Sequence, residues 1–118
     1  MKISRGDIFW VDFRKLKEIE VSSGSEINGK KRPSVIVSEE WQNEKGKRVI
    51  ILPMSTKVQN IYRFDLYVGK VISDYEESKV VCEQVRSIDK RKLREKAGKL
   101  SKEWMVKIDE KLRKILSL

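Results

Sequence analysis

The 118-residue chain is expected to be mainly β with added α, a small antiparallel barrel or strongly curled sheet carrying a C-terminal helix. Three observations predict this. Short segments alternate apolar and polar residues at the period of a strand, turn formers separate those segments at close intervals, and from Ser101 onward the apolar spacing changes to that of one helix face. With 39% apolar and 38% charged residues, the chain is long enough for one core and not for two, so residues 1–118 are read as one domain.

The first strand is expected from Ile8 to Phe13, where Phe9, Val11 and Phe13 form an apolar face and alternate with Ile8, Trp10 and Asp12. Ser4, Arg5, Gly6 and Asp7 precede it as a turn, and Asp12 at its far end is a candidate turn partner. Residues 14–31 then form a polar connection longer than the ~2 to 5 residues of a tight hairpin, which makes it a candidate lid. In the stretch Gly24 to Val37, GSEINGKKRPSVIV, the turn formers Gly24, Ser25, Asn28 and Gly29 give way to a strand at 33–38. That strand begins at Pro33, where no ladder N–H is needed. Glu26, Lys30, Lys31 and Arg32 therefore stand at a strand edge, as a polar site or as a solvated charged hairpin.

The segment EEWQNEKGK reads as an exposed turn, with Trp41 either capping the edge of the core or stacking on a base. Arg48 to Met54 resumes the strand pattern, and Pro53 is expected to stop the ladder just before Ser55, Thr56 and Lys57, a second polar cluster at a strand end. Arg63 to Val68 is a further strand, Gly69 a turn, and Val80 to Val85 a short strand running into Gln84, Arg86 and Ser87. About five strands are expected in all. Trp104, Ile108, Leu112 and Ile115, spaced four, four and three apart, mark the final helix, with Ser101 as its N-cap. Lys107, Lys111, Arg113 and Lys114 toward its end suit the negative pole of the helix dipole.

Twenty-seven Lys and Arg against eighteen Asp and Glu give a net charge of +9, which favours a polyanionic partner. There is no histidine and one cysteine, which excludes zinc sites of the usual kind and every mechanism built on an imidazole base. Cys82 lies in the apolar run KVVCEQV and reads as a small buried side chain, not a nucleophile. No run approaches the ~20 apolar residues of a membrane span, and MKISRGD leads into a strand instead of a signal core, so a cytoplasmic protein is expected.

Four pieces in order, RGDIFWVDF, GSEINGKKRPSVIV, a strand ending LPMST, and CEQVRSIDKRKL followed by a helix, resemble the MazF/PemK family of toxin endoribonucleases nearly end to end. The resemblance implies an SH3-like or CcdB-like barrel, a homodimer, and cleavage of single-stranded RNA at short sequences without metal or other cofactor. It also implies neutralisation by a labile antitoxin, here expected to be acidic. By position, Arg32 matches the family's catalytic arginine and Ser55 its catalytic hydroxyl, with Thr56 the alternative. Glu26 matches an acidic loop residue, either a base or an RNA contact. Glu83, Gln84, Arg86 and Ser87 match an RNA-binding segment, and Lys31 and Lys57 are added as cationic contacts. The first connection, Arg14 to Ser23, is longer and more charged than is usual in the family.

The chemistry of these residue types agrees with that reading. The 2′-hydroxyl of RNA can attack its own phosphate, and only proton transfers and charge stabilisation are then required. A guanidinium fork and a hydroxyl supply donors to the phosphate oxygens. Two other classes of function remain alongside it: a CcdB-like toxin that binds a topoisomerase without cutting nucleic acid, and a basic module that only binds RNA.

Overall fold

The computed structural model describes residues 1–16 and 31–118. Residues 17–30, which include Glu26 and most of the expected lid, lie outside the described residues. The strands are β1 (Asp7–Asp12), β2 (Lys31–Ile36), β3 (Arg48–Ser55), β4 (Asp65–Gly69), β5 (Ser78–Val81), β6 (Arg86–Asp89) and β7 (Leu93–Lys99). Among the described residues the α-helical elements are α1 (Glu40–Lys45) and α2 (Lys102–Leu116). The architecture is mainly antiparallel β with a C-terminal helix, as the sequence predicts. Neighbouring strands run β4-β5-β3-β2-β1-β7, with β6 also on β3, and among the described residues no pairing closes this path into a ring.

Alternation along the strands sends side chains to two apolar clusters of one domain. Ile8, Val35, Leu52, Met54 and Val80 join Met105 and Ile108 beneath α2. Phe9, Val11, Ile36, Val49 and Ile51 join Ile88 and Leu93 on the other side. Each central strand thus buries both faces, which is what a strongly curled sheet covered by a helix requires. The α2 helix starts where expected: the Ser101 side chain accepts from the Trp104 N–H, while Met105 and Ile108 are buried. Arg5 ties the N-terminal turn to α2 through Asp109, and its Nε donates to the Val37 carbonyl at 3.0 Å. Among the described residues no helix is long and apolar enough to cross a membrane.

Five elements differ from their sequence reading. β2 begins at Lys31 and not at Pro33, which lies inside the strand opposite Trp10, while Arg32 and Lys31 pair with Val11 and Asp12. EEWQNEKGK is not a simple turn but contains α1, because the Glu39 carboxylate accepts from the N–H groups of Trp41 and Gln42. Its buried Asn43 is fixed to Ser38 by a side-chain hydrogen bond and by Nδ2 donating to the Ser38 carbonyl at 2.8 Å. Trp41 points away from the core and is exposed. Pro53 does not end β3: it pairs with Ser34 and sits where β3 changes neighbours, between residues 48–51 on β6 and 54–55 on β5. A residue without an N–H is tolerated at such an interruption. The strand expected from Val80 to Val85 is interrupted by a 3-10 turn at Cys82–Gln84, which separates β5 from β6. Finally, β7 was not anticipated: LREKAGK is a charged edge strand on β1, kinked by register shifts.

Candidate active site

The register of the sheet brings Arg32 and Ser55 together. β2 and β3 pair Val35 with Leu52 and Ser34 with Pro53, and the same register continued by two residues sets Arg32 opposite Ser55. On the other edge of β3, Ser55 pairs with Lys79 of β5. Residues opposed in this way share a face of the sheet. An open cavity of about 490 Å3 lies there, lined by Arg32, Ser55, Lys57, Glu83 and Gln84 among others. Five of the ten residues singled out in the sequence therefore meet at one surface depression.

Each of the five brings a different capacity. Arg32 is exposed, and among the described residues its guanidinium is held by no carboxylate. Its charge reaches Tyr75, whose phenol is pushed above its usual range by burial and by Glu76, with Arg32 opposing. The Ser55 hydroxyl accepts from the Lys57 N–H at 3.1 Å, a turn that leaves the hydroxyl proton free to be donated into the cavity. Glu83 and Gln84 reach the wall from the 3-10 turn, which aims exposed side chains where a continuous strand would have turned one of them inward. Arg32 and Lys57 supply positive charge, and Glu83 is the carboxylate on the wall that carries no ion pair among the described residues.

Other candidates stand elsewhere. Thr56, next in the chain to Ser55, lines a different depression with Lys70, Glu76 and Glu77. Lys31 lies against Glu95, 3.0 Å away, and over the Trp10 ring, pulling the Glu95 carboxyl below its usual range. Arg86 stacks 5.1 Å from the Phe13 ring centroid, and Ser87 accepts from Arg48 Nε at 2.8 Å, neither of them lining the cavity. Glu26 lies outside the described residues. Cys82 is buried, with its thiol pushed up to about 11 chiefly by burial, so it is not a nucleophile at neutral pH.

Sequence reasoning missed a second group on the same cavity: Gln59, Asn60 and Tyr62 on the β3–β4 connection, with Asp65 and Lys79 behind them. Lys79 and Asp65 form a buried ion pair of 2.6 Å. VQNIY carries no motif, and a lysine beginning an apolar run looks solvent-facing until the register is known.

Residues 4–116 match the family described as PemK-like, MazF-like toxin of type II toxin-antitoxin system. The chain is 28% identical over 120 residues to endoribonuclease MazF9 of Mycobacterium tuberculosis, covering 97% of this chain and 96% of that protein. It is 28% identical over 121 residues to endoribonuclease EndoA of Bacillus subtilis, covering 100% and 97%. Among solved structures it resembles MazE-MazF (Form-II) from Deinococcus radiodurans with a TM-score of 0.76 at 18% identity, over 100% of this chain and 98% of that one. It also resembles an endoribonuclease in complex with its cognate antitoxin from a mycobacterial species, with a TM-score of 0.73 at 20% identity, over 99% and 95%. These structural likenesses support the fold.

Proposed function

The chain belongs to the PemK-like, MazF-like toxin family of type II toxin-antitoxin systems, and from that premise we propose that it is a sequence-specific, metal-independent endoribonuclease of single-stranded RNA. Residues 1–118 act as one toxin domain, as a homodimer, in the cytoplasm, until an acidic antitoxin neutralises it. The observation that carries this reading is the convergence of Arg32 and Ser55 on one open, positively charged cavity from facing strands. A topoisomerase-binding toxin or a purely RNA-binding module has no need of that pair in one depression.

In the proposed reaction the 2′-oxygen attacks the adjacent phosphorus and the bond from phosphorus to the 5′-oxygen breaks. The products are a 2′,3′-cyclic phosphate and a free 5′-hydroxyl. Arg32 holds the non-bridging oxygens with two parallel N–H donors, and Ser55 adds a third donor as negative charge builds. In this step Arg32 serves as a cationic donor fork to the phosphate and takes no part in the proton transfer. The proton lost by the 2′-hydroxyl passes to a carboxylate, for which Glu26 is the proposed residue, and the 5′-oxygen is protonated from solvent. RNA is required over DNA for its 2′-hydroxyl, and single strands because unpaired bases can be splayed and read at their edges.

The test is incubation of a long single-stranded RNA in EDTA with the wild type and with Arg32→Ala. Discrete cuts bearing cyclic-phosphate and 5′-hydroxyl ends, absent with the variant although it remains folded, are expected. A folded wild type that leaves the RNA intact refutes the assignment, and an Arg32→Ala protein that cuts at the wild-type rate removes Arg32 from the mechanism.

A further inference from the structure

The mouth of the cavity carries an aromatic surface for which the cleavage chemistry has no use. Tyr62 is 63% exposed and lines the cavity together with Gln59 and Asn60. The ring is nevertheless tightly placed. Lys79 Nζ lies 4.8 Å from its centroid. The Tyr62 N–H donates to Asp65 Oδ2 at 2.9 Å, and the Tyr62 carbonyl accepts from the Asp65 N–H at 3.0 Å. Lys79, itself buried, donates to Asp65 Oδ2 at 2.6 Å and to the Asn60 carbonyl at 2.8 Å. An ammonium group has three N–H donors, and here a carboxylate, a carbonyl and an aromatic face are arrayed around it. The β3–β4 connection is thereby fastened at Asn60, Tyr62 and Asp65 to a lysine that stands beside Ser55 in the sheet.

This arrangement is not that of a core tyrosine, which would be covered, nor of a solvated one, which needs no clamp. With the Lys79 ammonium over one face of the ring, the opposite face is the one a ligand would take. A fixed, exposed aromatic face beside a cationic cavity matches what an unpaired nucleobase requires, since every base has a π-face and its phosphate lies within reach. Gln59 and Asn60 add side-chain amides, each with donors and an acceptor, suited to the edge of a stacked base.

We propose that Tyr62 is the stacking platform of a nucleobase subsite at the mouth of the cavity, fixed by Lys79, with Gln59 and Asn60 as the groups that read the base edge. The proposal rests on the ribonuclease reading above. It assigns to the β3–β4 connection a share of the sequence selectivity that the phosphate-binding residues cannot supply, because phosphate contacts carry no base information.

The test uses a mixed-sequence 2′-O-methyl oligoribonucleotide, in which the attacking hydroxyl is blocked, and the same backbone without bases. Tyr62→Ala is expected to bind the base-bearing strand about tenfold more weakly, the loss of one stacked base. It should bind the abasic strand as the wild type does, while Tyr62→Trp restores the base-bearing affinity. A Tyr62→Ala protein that binds the base-bearing strand as well as the wild type overturns the subsite, and so does an equal loss on the abasic strand. Cleavage of unmodified RNA is followed in parallel. If the wild type cuts and the binding test fails, the subsite alone falls; if the wild type neither binds nor cuts single-stranded RNA, the ribonuclease assignment falls with it.

Discussion

Ser55 and Thr56 are neighbours with the same functional group, yet the structure gives them different surroundings. The end of a strand turns successive side chains to opposite faces, so Ser55 joins Arg32 while Thr56 joins Glu76 and Glu77, a poor place for a phosphate. Ser55→Ala should lower the cleavage rate of bound RNA about 100-fold, the usual loss for one donor to developing charge. Thr56→Ala should leave that rate close to wild type. Single-turnover cleavage at saturating protein measures both, and the reverse ranking would transfer the hydroxyl's role to Thr56. At this scale the sequence was informative about identity and silent about direction: it placed two hydroxyls at a strand end and the family resemblance preferred Ser55, while the side chains' separate surroundings appear only with the fold. Lys79 was illegible for the same reason, since its partner Asp65 lies fourteen residues away and its position beside Ser55 depends on strand pairing.

Among the elements, β1 ends in a buried electrostatic lock. The Asp12 carboxylate accepts from the Arg14 backbone N–H at 3.0 Å and from its Nε and Nη2 at 3.1 and 2.8 Å. Those side-chain hydrogen bonds hold the carboxyl below its ordinary 3.8, against the opposing effect of burial. A carboxyl depressed in the folded state contributes its stability in full above the unfolded value and loses it as pH falls through the folded one. Asp12→Ala should therefore destabilise the protein by about 3 kcal/mol at neutral pH, since it removes one side of a buried pair. The gap to wild type should narrow as pH drops below 3.8. Urea unfolding at pH 7 and pH 3 tests this, and a constant gap would show that the ion pair is not its source. Which elements were legible follows from what they bury. The strands around β1, β2 and β3 and the helix α2 carry apolar periods because they feed a core. By contrast, β7 buries Leu93 alone of its seven residues, and α1 is held by polar side chains, so neither leaves a hydrophobic pattern to read.

For the whole molecule, a net charge of +9 and a cavity edged by Arg32 and Lys57 predict that long-range attraction supplies a large part of the affinity for the proposed RNA substrate. The logarithm of the binding constant should fall linearly with the logarithm of salt concentration, losing about 0.7 in slope for each phosphate neutralised on a single strand. Arg32→Ala should reduce that slope by about that amount. Filter binding of the 2′-O-methyl strand over a salt series measures it, and a flat dependence would assign the affinity to stacking and base contacts instead. The shared strand β3 has a consequence for cooperativity. It is flanked by β2 along one edge and by β6 and then β5 along the other, so no neighbour can be lost without exposing part of it. Amide hydrogens near its centre should exchange with solvent only through global opening, whereas those of the edge strand β7 exchange through local excursions. Because Ser55 closes β3, heat should inactivate the protein at the temperature at which it melts, not below it.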